Sequence, residues 1–168
     1  MLAHEIEVLE QELHDLARRN RELRVHFLKY LRHARPAALL SVPVVYLGVA
    51  PFALLDLFLT LYQATCFRLY GVPRVERSRY IAFDRAKLQF LNGIEKLNCV
   101  YCSYANGLAA YFSEIAARTE QHWCPIKHAK QTPLPHSRYR RFFDYGDART
   151  YRREVERVRR DFSDLDKE

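Results

Sequence analysis

"PAALLSVPVVYLGVAPFALLDLFLTLYQATCFRLY", residues 36–70, has no charged residue between positions 37 and 55 and only one, Asp56, between 37 and 67. A membrane-spanning helix needs about 20 predominantly apolar residues, so this stretch reads as a membrane segment. Pro43, Gly48 and Pro51 interrupt it, because proline removes a helical donor and glycine weakens the helix. Three dispositions are open: a single span, a re-entrant hairpin or other monotopic insertion, and buried helices of a soluble protein. Arg32 and Arg35 precede the run, and Arg68, Arg74, Arg77 and Arg79 follow it. Positive residues favour the cytoplasmic side, and a hairpin turning within residues 47–51 keeps both basic flanks there. Its cost is unpaired backbone inside lipid, several kcal/mol per group. Asp56 is either an intramembrane functional carboxylate or a cap near the interface. Cys66 reads as an apolar filler.

Before this run, residues 2–31 read as one helix. Leu2, Ile6, Leu9, Leu13, Leu16, Asn20, Leu23, Phe27 and Tyr30 recur at alternating spacings of four and three, which makes a heptad seam with Asn20 at an inner position. Self-association or docking of a protein partner through a coiled coil is one expectation; an ordinary amphipathic helix packed on its own chain is the other. A parallel homodimer sets Glu5 against Glu10 and Arg19 against Arg24, which repel. An antiparallel pair sets Glu5 and Glu12 against His26 and Arg19. Residues 147–165 repeat the spacing with Tyr151, Val155, Val158, Phe162 and Leu165, so an intramolecular pairing is also open.

After the run, residues 83–122 read as helical, with breaks expected at Gly93 and at Asn106 and Gly107. Cys124 is expected to cap a short helix beginning at Pro125, and Pro133 and Pro135 end the region. "NCVYC" (98–102) and "WCPIKH" (123–128) place Cys99, Cys102, Cys124 and His128 as Cys-x2-Cys, a 21-residue spacer, then Cys-x3-His. Three thiolates and an imidazole suit tetrahedral zinc or, alternatively, an iron–sulfur cluster. Glu95 and His122 are further candidate ligands. A reactive dithiol and plain structural cysteines are the competing readings. A straight helix over residues 103–122 would hold Cys102 and Cys124 roughly 30 Å apart. One chain therefore completes the site only if that helix breaks and folds back; two chains complete it by antiparallel docking.

The chain has 168 residues, a formal charge of +7 and a pI near 9.4. That balance favours an anionic neighbour. Residues 136–160, "HSRYRRFFDYGDARTYRREVERVRR", offer Arg138, Arg140, Arg141, Arg152 and Arg153 to anionic lipid head groups, or form a solvated helix after a basic loop. Nucleic acid is the less favoured partner, since no helix-turn-helix or ribonucleoprotein-type strand motif accompanies the charge. Four cysteines make no disulfide framework in a chain of this size. The charged helical start is not a signal-peptide pattern, so a reducing, cytoplasmic setting is expected. There is no Gly-rich phosphate loop, no Gly-x-Ser-x-Gly elbow, and no Glu-x2-His pair for a di-iron site. Ser103 after Cys102 argues against covalent haem. No catalytic residue is assigned.

"YLGVAPFALLDLFLTLYQ", "LNGIEKLNCVYCSYANG" and "RTEQHWCPIKHA" together resemble a family of small uncharacterised bacterial membrane-associated proteins, over about residues 45–130. The resemblance implies membrane association in a bacterium and carries over no catalytic residues.

The expected architecture is all-α: a coiled-coil helix (1–35), a proline-broken membrane segment (36–70), a helical Cys/His module (71–132) and a basic tail with an amphipathic helix (133–168). The expected setting is the cytoplasmic face of a bacterial inner membrane.

Overall fold

A computed structural model describes residues 2–130 and 133–165, with side chains from Glu10 onward. The protein is all-α. Its helices are α1 (Leu2–Glu22), α2 (Phe27–His33), α3 (Pro36–Leu47), α4 (Val49–Tyr62), α5 (Arg68–Tyr70), α6 (Gly93–Trp123) and α7 (Ala148–Arg160). A π-helical turn, Gln63–Phe67, joins α4 to α5. The chain divides into two units. One comprises Met1–Val49 and Ala82–Ala105, the other Ala50–Ile81 and Asn106–Glu168.

The second unit holds the larger core. Leu59, Gln63 and Phe67 recur every four residues and are buried, and so are Leu108, Tyr111 and Ile115 of α6. Full burial of each such apolar side chain contributes about 1.5–3 kcal/mol. Gln63 sits among them because both ends of its amide are used: Oε1 accepts from the Val75 N–H and Nε2 donates to the Tyr111 hydroxyl. The helical run ends at Gly71, which adopts φ +66°, the left-handed conformation that glycine takes without strain. The Val72 N–H bonds back to the Phe67 carbonyl at 2.9 Å, with both side chains buried, which is a Schellman stop. The chain then runs back along α6. Arg118 Nη1 donates to the carbonyls of Pro73 and Arg74, and the Tyr80 backbone lies against Gly107.

Gly107 does not break α6. A Cβ there would lie 2.6 Å from the Tyr80 carbonyl oxygen, so the glycine provides a groove for the returning chain inside a continuous 31-residue helix. Gly93 opens α6 rather than interrupting it, preceded by a reciprocal cap. Asn92 Oδ1 accepts from the Glu95 N–H at 3.0 Å, and Glu95 Oε2 accepts from the Asn92 N–H at 2.8 Å. Residues 84–87 form a separate 3-10 turn.

The tail folds onto the end of α6. Asp147 caps α7 by accepting from the Thr150 N–H. Val155 and Val158 are buried with Phe143, and Tyr151 packs against that cluster. Gln121 Nε2 donates to the carbonyls of Val158 and Asp161. The apolar stripe of α7 is therefore used inside this unit.

In the first unit the expected continuous helix over residues 2–31 is two helices. The chain turns after Glu22, and His26 is extended at the start of α2. Leu23 thus falls in the turn after α1, and Phe27 and Tyr30 belong to α2. Further along this unit, Tyr46 of α3 donates to Asn98 Oδ1 at 2.6 Å and tilts its ring against Tyr101 at 5.4 Å.

Candidate functional site

The most distinctive surface is the apolar helix itself. Pro36–Tyr70 forms one helical segment of 35 residues, long and apolar enough by length and composition to cross a membrane, and none of its most apolar window is buried. Pro36 sits at the start of α3, where a missing donor is harmless. Pro43 lies inside α3 and Pro51 in the first turn of α4. Gly48 keeps a right-handed helical backbone, φ −59° and ψ −17°, with its N–H bonded to the Val45 carbonyl. The chain does not reverse there. Leu40, Val44, Leu47, Leu54, Leu57, Phe58 and Leu61 are all exposed. Isolated exposed leucines are ordinary, but a continuous apolar surface of this extent marks a contact with lipid or protein.

Asp56 ends the uncharged stretch. Both its oxygens accept from Arg77: Nε lies 3.0 Å from Oδ1, and Nη2 lies 2.6 Å from Oδ2. A two-point guanidinium–carboxylate contact of this kind holds the carboxylate ionised and oriented. Past Asp56, Leu59, Gln63 and Phe67 are buried in the second unit while Leu57, Phe58 and Leu61 remain exposed.

The four cysteine and histidine candidates are not gathered within one chain. Cys99 and Cys102 share one face of α6, while Cys124 follows its last residue, Trp123. The unbroken helix between Cys102 and Cys124 sets them roughly 30 Å apart. The expected helix after Cys124 is absent. Pro125 is buried, and Ile126 pairs with Phe143 in an isolated parallel bridge, so Cys124 and His128 do not share a helical turn. Among the described residues no group of three or more His, Cys, Asp or Glu side chains is placed to hold a metal ion. Glu95 is engaged in the cap of α6. His122 is stacked on Tyr70, with ring centroids 4.8 Å apart. A helix that runs unbroken through Gly107 separates the ligands, and spacing rules do not register that continuity.

The arginines of the tail divide by burial. Arg138 is only 2 % exposed and belongs to the interior. Its Nε donates to Gln121 Oε1, its Nη1 and Nη2 reach Asp164 at 3.2 and 3.1 Å, and its guanidinium lies 4.8 Å from the centre of the Phe162 ring. It is not available to a lipid head group. Arg141 pairs with Asp164 at 3.0 Å, and Arg153 with Glu154 at 2.8 Å. Arg152 lies over the Tyr151 ring, and Arg140 is exposed.

Sequence reading did not anticipate a cleft of about 570 Å³ at the end of the apolar helix. Leu69, Tyr70, Gly71, His122, Trp123, Glu156, Arg159 and Arg160 line it. Tyr70 and Trp123 meet edge to face at 5.4 Å, as do His122 and Trp123. Arg159 Nη1 donates to Glu156 at 2.7 Å and Nη2 to the Trp123 carbonyl at 3.2 Å. Burial lowers the His122 pKa below its ordinary value, and the Arg159 charge lowers it further, so the ring is neutral at pH 7. Its Nδ1 and Arg159 Nε are buried without a hydrogen-bond partner. The only sequence clue was the co-occurrence of Tyr70, His122, Trp123 and the basic end of α7.

No family model, curated protein or solved structure matches the chain.

Proposed function

We propose that this is a membrane-associated, partner-binding protein held on the cytoplasmic face of a bacterial inner membrane, with α1 pairing it to a second copy. The observation that carries the reading is the exposed 35-residue apolar helix, whose most apolar window contains no buried residue. Two details favour insertion of one side of that helix over a perpendicular crossing. Tyr46, in the last turn of α3, bonds Asn98 of α6, so that side faces polar protein. Glu95 and Lys96 lie in the turn before Asn98, and charges at the centre of a bilayer cost about 2.5–3.5 kcal/mol each. A helix lying along the surface places its free apolar side in lipid and leaves these residues in water. The basic residues at both ends of the run agree with a single, cytoplasmic side, and the resemblance noted above points to the same setting.

The membrane reading rests on the apolar helix and does not depend on a metal at Cys99, Cys102, Cys124 and His128. The test is fractionation of cells expressing the full chain. The expected result is retention in the membrane pellet through alkaline carbonate and high salt, release by detergent, and protease access from the cytoplasmic side alone. Release by salt or nuclease would overturn the reading in favour of a soluble, nucleic-acid-binding protein.

A further inference from the structure

The cleft at the end of the apolar helix has features the membrane reading leaves unexplained. Three helical runs finish at it, with Tyr70, Trp123 and Arg160 as their last residues. Helix C-termini carry partial negative charge, roughly half an elementary charge each, and so favour a cation. Glu156 adds a full negative charge, and the faces of Tyr70 and Trp123 attract an ammonium group. On the other side are two guanidinium groups. Arg160 is largely free, its closest approach to Glu156 being 3.9 Å. Arg159 is half-buried, with its Nε–H unmatched. The neutral His122 contributes hydrogen-bonding capacity without charge. Such a lining suits neither a bare phosphate, which the helix ends repel, nor a simple cation, which the arginines repel. It suits a ligand carrying both signs a few ångströms apart.

We propose that this cleft binds the head group of an aminophospholipid, with the phosphodiester on Arg159 and Arg160 and the primary ammonium between Glu156 and the rings of Tyr70 and Trp123. The proposal rests on the membrane reading. The same chemistry occurs in a free phosphate ester of an amino alcohol, but the surroundings favour the lipid. The cleft opens beside Leu69 and Trp123, both exposed, at the last turn of the apolar helix. Tyrosine and tryptophan concentrate at the level of head groups, where one end of the ring is apolar and the other wet. A volume of about 570 Å³ accommodates such a head group.

Trp123 is the chain's single tryptophan, so its emission reports on the cleft alone. Full-length protein is titrated with vesicles of phosphatidylcholine containing either phosphatidylethanolamine or phosphatidylglycerol, with Trp123 emission and vesicle co-flotation read together. The expected result is a Trp123 shift with at least a fivefold preference for the ethanolamine lipid. Arg160→Ala and Glu156→Gln each abolish that preference while co-flotation persists. Both side chains are mainly exposed, and an unchanged circular dichroism spectrum verifies that the variants fold. Equal response to the two lipids, or preference for the glycerol lipid, overturns the proposal and leaves the membrane reading intact. Failure to float with any vesicle overturns the membrane reading instead, and soluble O-phosphoethanolamine then decides the cleft. An Arg160-dependent Trp123 response supports a free aminophosphate ligand, and no response overturns the site.

Discussion

Gln121 and Arg138 show how single residues hold the second unit together. Gln121 is fully buried and satisfies three groups: two carbonyls of the tail and the Arg138 guanidinium. Gln121→Leu preserves approximate size but strands all three, and buried unpaired groups next to a buried charge cost several kcal/mol. Urea unfolding is expected to show a loss of roughly 2–4 kcal/mol, with most of it absent when Arg138 is already Leu, since the two act as one network. Gly107→Ala tests a different kind of constraint. The new methyl must displace backbone rather than a flexible side chain, so about 1–3 kcal/mol should be lost without loss of helicity. His122 supplies a pH dependence. Its folded pKa lies below the ordinary value of about 6.5, so the unfolded chain takes up the proton first. Stability is full above that value and declines as pH falls through it toward the folded pKa. A Tm series from pH 7.5 to 5 should show this decline reduced in His122→Phe. Spacing made the cysteines conspicuous, but ligation needs convergence, and spacing is silent on that. Glu95 was legible as the fourth residue of an Asn-x-x-Glu cap, and that cap engages it.

At the scale of elements, composition was a better guide than punctuation. The apolar run at 36–70 and the amphipathic stripes of α6 and α7 are helices, as their patterns require. The break points were less legible. Gly48 and Gly107 continue their helices, because glycine permits a bend without imposing one, and at Gly107 a neighbouring strand of backbone uses the missing side chain. Conversely α1 stops after Glu22 with neither Gly nor Pro nearby. Leu13 and Leu16 there are exposed, so burial of this seam does not carry the helix through residues 23–26, and local propensity alone is weak. The exposed side of α3 gives the element its own test. Leu40 and Val44 are 80 % and 74 % exposed. Leu40→Lys replaces apolar surface with a charge on the side proposed to enter lipid, a penalty of up to about 2.5–3.5 kcal/mol. Vesicle partitioning is expected to fall by one to two orders of magnitude, whereas Ser41→Lys, on a position already polar, should change it less.

For the whole molecule, the open question is what covers the seam of α1. A second copy in antiparallel orientation fits the charge pattern. Among described side chains, Glu10, Glu12 and Asp15 precede the seam's midpoint, and Arg18, Arg19, Arg21 and Arg24 follow it. In that orientation Leu13 of one copy layers against Leu16 of the other, and Glu12 meets Arg19 twice, once on each side. Leu9 would meet Asn20 in the next layer, though the Leu9 side chain lies outside the described residues. Parallel pairing brings Arg19 against Arg24 instead. The two orientations separate under charge reversal. Glu12→Arg makes two repulsive pairs in the antiparallel dimer and faces only Ala17 in the parallel one. Turning an exposed attraction into a repulsion costs about 0.5–1 kcal/mol per pair, so the dimer dissociation constant should rise about tenfold. Combining Glu12→Arg with Arg19→Glu should restore it. Sedimentation of the full chain in detergent measures this directly, with Leu13→Asp as the monomeric limit. A dimer indifferent to Glu12→Arg would be parallel or formed elsewhere, and a monomer at all concentrations would assign the seam to a different protein, one whose binding helix must present the same reversed order of charge.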